Sequence, residues 1–307
     1  MKWLPLLVLP LVLVAGVNGQ SAVPKVDSQQ SFDTAKAAVD GLLSACKDND
    51  SATLVRLFGP RYGDAIAKID DAEEKEHRRK FWEQSQAHLK LLEKGADRVE
   101  LVVGRELWAF PIPLVKGSRG WVFATEEGFH ELSARRIGEN ELVAIEVCRE
   151  FVKGQVEYAA SDRDGDEVLE YAQRIASSPG KRDGLYWEVS AESSEPPSPL
   201  GHLLAEADGT PKERKPGAPY MGYNFKILAR QGSNPPGGKY DYVINGNMIA
   251  GFALVAWPAD YKNSGVMTFL VCHHGRVFEN DLGPQTAGVA GGMEEFNPDE
   301  SWNVVDE

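Results

Sequence analysis

Cysteine is scarce in this chain: three residues in 307, Cys46, Cys148 and Cys272. An odd number cannot pair completely within one molecule, and no spacing among them suggests a metal site. A disulfide scaffold is therefore not expected, although one bridge remains open. Each cysteine continues an apolar stripe and reads as a small buried hydrophobe. Catalytic signatures are just as thin. There is no HExxH, no P-loop lysine and no GxGxxG after a strand, and Ser44, Ser177 and Ser198 lack a GxSxG elbow. Positive charge is in deficit, with 33 Lys and Arg against 46 Asp and Glu and a net charge of -13. Such a chain repels phosphate backbones and anionic lipid, which argues against nucleic acid as a partner. Long apolar runs are missing as well. The one at Trp3–Val17 falls short of the ~20 residues that a membrane span requires, and no later run is longer.

That early run has another use. Met1-Lys2 supplies a positive start, and small residues at Val17-Asn18-Gly19 suit cleavage before Gln20. The expectation is a signal peptide over 1–19, a flexible leader over 20–30, and a periplasmic or secreted mature chain.

What the chain does contain is a strong strand pattern near its end. Between Gly222 and Gly283 the runs Phe225–Ala229, Tyr240–Ile244, Phe252–Trp257, Val266–Val271 and Arg276–Phe278 alternate with clusters of Gly, Pro and Asn. This is the pattern of an antiparallel sheet. The region 220–307 is read as that sheet plus an acidic tail anchored by Trp302, with Pro284–Met293 as a possible helix.

The region 31–160 reads as a half built from helices and a hairpin. Helices are expected over Ser31–Asp48 (capped by Ser31 or Asp33), Leu54–Phe58, Ala65–Ile69 and Asp71–Leu92. A strand follows at Val99–Val103, then an irregular or edge strand at Trp108–Val115, where Pro111 and Pro113 intervene. Lys116–Gly120 turns the chain into Trp121–Thr125 as a hairpin. Two more helices are expected, Glu126–Ile137 and Glu139–Ala160, the second with Leu142, Ile145, Cys148, Val152 and Val156 on one face. The fold class is thus α+β. The segment 161–219 supplies a helix, Glu167–Ala176, and a long Pro- and Gly-rich connection. Irregular segments of that length are usually functional or wrapped on the surface.

Candidate site residues are few. Asp162, Asp164 and Asp166 have the alternate spacing of the first three ligands of an EF-hand loop. The glycine falls at the fourth position and Gln173 at the twelfth, so Asp166 as a helix N-cap is the simpler reading. No cofactor is indicated. Asp183, His202, Asp241 and His273 are the acid–base candidates, provided the fold brings a carboxylate to a histidine. His273-His274, just before Gly275, reads more simply as a hairpin tip. Tyr186, Trp187, Tyr223 and Trp257 are the partner-binding candidates, since aromatics with a polar handle suit peptides or glycans as well as sheet packing.

Several segments carry a resemblance: Phe110-Pro-Ile-Pro-Leu114, Arg135-Arg-Ile-Gly-Glu-Asn-Glu141, Asp183-Gly-Leu-Tyr-Trp187, Ser198-Pro-Leu-Gly201, Gly251–Pro258, Gly265–Phe269 and Asp281-Leu-Gly283. Through them nearly the whole mature chain resembles the bacterial domain-of-unknown-function family 2950. That resemblance implies export, mainly in Gram-negative bacteria, and no assigned activity. Tyr223-Asn-Phe225, Phe252–Pro258 and Gly265–Phe269 with Gly275–Phe278 are also similar to the heads of type IV pilin-like and pseudopilin proteins. No prepilin cleavage motif or long assembly helix accompanies them. The resulting expectation is a non-enzymatic cell-envelope protein that binds an envelope protein, peptide or glycan. The alternative is a periplasmic hydrolase with a carboxylate and histidine site.

Overall fold

The computed structural model describes residues 29–62, 72–163, 165–187, 198–201 and 218–306. The chain divides into two compact units, 1–133 and 134–307. The expected signal peptide, the leader up to residue 28 and the short helix at 65–69 fall outside the described residues.

In the first unit, helix α1 runs Ala35–Lys47 and α2 runs Ser51–Phe58. The cap of α1 is Thr34, whose hydroxyl accepts the Ala37 N–H at 3.1 Å; neither Ser31 nor Asp33 performs this task. Asp50 caps α2 by accepting Thr53 N–H at 2.9 Å, and Gly59 ends it at φ +99°, a conformation costly for other residues. Helix α3 covers Ala72–Ala87 and stops there. Leu89–Glu93 is strand β1, not the end of a helix, because Leu89 and Leu91 turn to the core while Lys90 faces water. It pairs with β2 (Arg98–Val103) in the register Leu89↔Val103.

The prolines break the next strand in two, as expected. Trp108–Ala109 (β3) pairs with β2, Pro111 and Pro113 are buried in the interruption, and Leu114–Gly117 (β4) resumes the pairing. A tight hairpin joins β4 to β5 (Gly120–Phe123). The sheet order is β1-β2-β4-β5, and Phe32 bridges to Trp121 on β5. Phe58, Phe81, Phe110 and Phe123 meet in the core with ring centroids 5.2–6.5 Å apart.

Helix α4 runs Thr125–Tyr158 as one element, where two were expected. Gly138 lowers helix propensity without terminating the helix, since a side chain there would meet no described neighbour within 4 Å beyond the helix's own backbone and φ stays negative. The buried face of α4 in the second unit is Ala144, Val147, Cys148, Phe151, Gln155 and Tyr158. Leu142 and Val156, expected on that face, are 68% and 60% exposed.

The second unit holds the antiparallel sheet read from the sequence. Its order is β15 (Asn303–Val304), β13 (Val277–Asn280), β12 (Thr268–Cys272), β11 (Ala253–Pro258), β6 (Tyr223–Leu228). Central β12 is buried throughout, and β11 at every residue except the half-buried Trp257. At ~1.5–3 kcal/mol for each large apolar side chain, these two strands make the main hydrophobic contribution of the unit. Pro258 stands opposite Tyr223, whose N–H and C=O instead bond Tyr220, so the missing proline donor leaves nothing unpaired. A smaller sheet joins β7 (Arg230–Gln231) to β8 (Tyr240–Asp241) and β14 (Glu295–Phe296). β9 (Val243–Ile244) and β10 (Asn247–Met248) form a hairpin about Asn245-Gly246, both at positive φ. Helix α5, Thr286–Gly291, lies within the span Pro284–Met293.

Two of the quoted segments lock together. On α4, Arg136 donates to Asn263 O at 2.7 Å, Asn140 donates to Ser264 O at 2.8 Å, and Glu141 accepts the N–H groups of Val266 and Met267. Tyr223, 1% exposed, donates its hydroxyl to Met267 O at 2.9 Å. A Cβ on Gly265 would stand 2.2 Å from that hydroxyl oxygen. Gly265→Ala should therefore lower stability by roughly 2–3 kcal/mol through overpacking of a side chain that cannot yield. Gly138→Ala should raise it by roughly 0.5–1 kcal/mol. Urea unfolding of both variants tests the pair, and equal shifts would contradict the packing described.

Candidate functional site at the Trp187 turn

The site begins with an amide in an apolar interior. Gln155 is fully buried near the end of α4 and needs both a donor and an acceptor. It finds them on one residue: its Nε2 donates to Ala172 O, and Ala172 N–H donates to its Oε1, each at 2.8 Å. The segment that returns past α4 is thereby held extended. Tyr171 N–H adds a bond to Met248 O at 2.8 Å, Glu170 accepts Met248 N–H at 3.1 Å, and Gln173 donates to Gly246 O at 2.6 Å.

The helix expected at Glu167–Ala176 is thus absent. Glu167 sits at φ +67°, outside the right-handed helical region, and the backbone groups that a helix would use internally are spent on Gln155 and Met248. Asp166 consequently caps no helix. It accepts Val168 N–H at 2.8 Å and the Asn247 amide at 2.7 Å. Asp162 accepts Gly165 N–H at 2.7 Å and Glu167 N–H at 3.0 Å, closing the loop on itself. Asp164 lies outside the described residues. Among the described residues no group of three or more His, Cys, Asp or Glu converges as a metal site.

Beyond Ala172 the chain doubles back over 174–187. Leu185 N–H donates to Arg174 O, Tyr186 N–H to Ile175 O, and Ser177 N–H to Tyr186 O. Asp183 closes this turn by accepting Ser178 N–H at 2.7 Å and Ser178 Oγ–H at 2.8 Å. The Ser178 backbone bond is the main reason that its carboxyl is held below the usual range. The turn delivers Trp187, only 7% exposed, to the end of α4. Arg163 stacks over the Trp187 ring at 5.5 Å and over Tyr158 at 5.4 Å, while Arg182 stacks over the Trp187 ring at 5.7 Å. Tyr158 Oη donates to Arg182 O at 3.0 Å, and Arg163 Nε donates to Tyr158 O at 3.3 Å. Each stacking contributes about 0.5–2 kcal/mol, more as the pair is dried. The indole Nε1–H is buried and has no acceptor among the described residues. Tyr186, next to it, is half-buried.

The other candidates are dispersed. Tyr223 belongs to the core, and Trp257 is half-buried against it. Asp241 is on β8 with a side chain 74% exposed, 3.8 Å from Arg230. His273 packs edge-on against Tyr242 and Phe252 and lies beside His274, with its Nδ1 buried and unbonded among the described residues. Burial, with the neighbouring His274 in support, holds its pKa below the ordinary histidine value. His202 lies outside the described residues. Among the described residues no hydrogen bond joins Asp183, Asp241 and His273. Sequence reasoning missed Gln155, Tyr158, Arg163 and Arg182. Arg163 is embedded in an aspartate run and Arg182 in a turn, and only the bonds to Gln155 reveal why they meet.

The model of the family described as "Protein of unknown function (DUF2950)" matches residues 29–305. No match was found among curated proteins, and none among solved structures.

Two outcomes follow from the burial of titratable groups. All three cysteines are free and buried, and burial pushes the Cys46 and Cys148 thiols up to about 12. A thiol reagent at pH 8 should react slowly with native protein and count three thiols in denaturant; fast native reaction would contradict this. For His273, the unfolded imidazole takes up a proton near pH 6.5 while the folded one resists it. The groups facing it are Tyr242, Phe252, Cys272 and His274, and none supplies a negative charge. Stability should therefore fall between pH 7 and pH 5, and fall less in His273→Asn. Parallel pH profiles of the two proteins in urea would contradict it.

Proposed function

Because the chain belongs to the DUF2950 family, whose description assigns no activity, we propose from the site alone that it is a non-enzymatic binding protein of the cell envelope. The partner, an envelope protein, peptide or glycan, meets the chain at the 174–187 turn. The observation that carries this reading is the concentration at one turn of a tryptophan, two arginines and a half-buried tyrosine. Aromatic and arginine side chains held rigidly by their neighbours are the usual anchors of recognition. The acid–base candidates among the described residues have structural occupations instead: Asp183 ties Ser178, Asp241 faces Arg230, and His273 lies in an aromatic cluster. The five-stranded sheet serves as a pilin-like scaffold in this proposal. Export rests on the leader read from the sequence. No helix among the described residues is long and apolar enough to cross a membrane.

A photo-crosslinking residue placed at Tyr186, with another at exposed Lys90 as control, tests the reading in cells that make the full chain. The expected result is a discrete crosslinked species from position 186 alone, in the periplasmic fraction, on a chain whose N-terminus is Gln20. Equal crosslinking from both positions, or from neither, would overturn the site.

A further inference from the structure

We propose that Arg163 reads a carboxylate, so that the ligand at the Trp187 turn carries a singly charged carboxylate group. This rests on the binding reading above and specifies the chemistry it requires.

Several arginines of this acidic chain are paired with carboxylates. Arg79 is held by Glu76 and Glu83, Arg98 by Glu127 and Glu100, and Arg230 lies near Asp241 and Glu294. Arg163 differs. It stands between Asp162 and Asp164 in the sequence, yet no described carboxylate reaches it, and its polar contact is Nε to Tyr158 O. Its guanidinium is fixed by two aromatic rings, Tyr158 at 5.4 Å and Trp187 at 5.5 Å. Stacking engages the flat face of a guanidinium and leaves the N–H donors at its edge directed outward. The two terminal nitrogens therefore form a rigid donor fork with no acceptor among the described residues. A fork of that geometry matches a carboxylate.

A second observation points the same way. Trp187, more than nine-tenths buried and the ring over which that guanidinium lies, has its Nε1–H unbonded among the described residues. A buried donor without an acceptor is costly, and a ligand oxygen would relieve it. One carboxylate can serve both groups, with its two oxygens shared between the Arg163 fork and the indole. The class is a monoanion and not a phosphate because Asp162 immediately precedes Arg163, Asp166 and Glu167 follow closely, and the whole chain stands at -13, which penalises each further negative charge. Arg182, on the same ring, adds positive charge to the site.

The test uses the full protein labelled with nitrogen-15 in its tryptophan indoles, the Trp187 signal being assigned with Trp187→Phe. Acetate, inorganic phosphate and chloride are titrated at constant ionic strength. Acetate should move the Trp187 indole N–H signal saturably, phosphate less and chloride least. Arg163→Gln should weaken the acetate response about tenfold or more, the loss expected for a charged bidentate contact, with its unfolding midpoint checked to exclude misfolding. A Trp187 signal that acetate does not move in the wild type overturns the proposal whatever the variant does. An equal response to chloride, or an undiminished response in a folded Arg163→Gln, also overturns it. Crosslinking at position 186 with a silent indole would refute the carboxylate and leave the binding reading standing. A responsive indole without crosslinking would do the reverse.

Discussion

The second unit depends at the site on one buried amide. Gln155 lies in the apolar interior at the end of α4, where an unbonded carboxamide would be costly, and it recovers both of its bonds from the backbone of Ala172. This exchange fixes where the chain returns after the helix. Because Tyr158 is one turn further along α4, the returning segment brings Trp187 and Arg182 close to Tyr158 and Arg163. Neither bond depends on the identity of residue 172, since both use main-chain atoms. On the α4 side of the returning segment, position is set by Gln155.

The sheet supplies the rigidity. β11 and β12 are buried, and α4 holds the loop that joins them through Arg136, Asn140 and Glu141. Arg135–Glu141 and Gly265–Phe269, two of the segments that resemble the family, are thus the two halves of one contact. A packed core of this kind has few soft coordinates, so a turn anchored to it can be held in a single arrangement. The site uses that rigidity for arginines stacked on aromatic rings, a geometry easily lost by small displacements.

Much of this was legible in the sequence, and the divide has physical reasons. The strands of the second unit announced themselves because Gly, Pro and Asn punctuate them, and Asn245-Gly246 carries its turn type in its residues. α4 was legible as helical but not as continuous, since Gly138 costs a helix little when nothing crowds it. Leu89–Glu93 looked helical because a short apolar run suits both periods, and its pairing with β2 decided the matter. Glu167–Ala176 could not be read at all. Local preference favoured a helix, whereas the deciding bonds come from Gln155 and Met248, distant in sequence. The site was half-visible for the same reason: Tyr186 and Trp187 attracted notice as aromatics, while Arg163 and Arg182 acquire meaning only beside them.

Amide hydrogen exchange in Gln155→Leu examines this dependence directly. In the wild type the Ala172 N–H should be protected, as should those of Tyr171, Leu185 and Tyr186, along with the amides of β11. In the variant, protection at 171–172 and 185–186 should collapse while 253–258 retain theirs. Retention at Ala172, or a uniform loss that includes 253–258, would contradict the claim that this one amide positions the site.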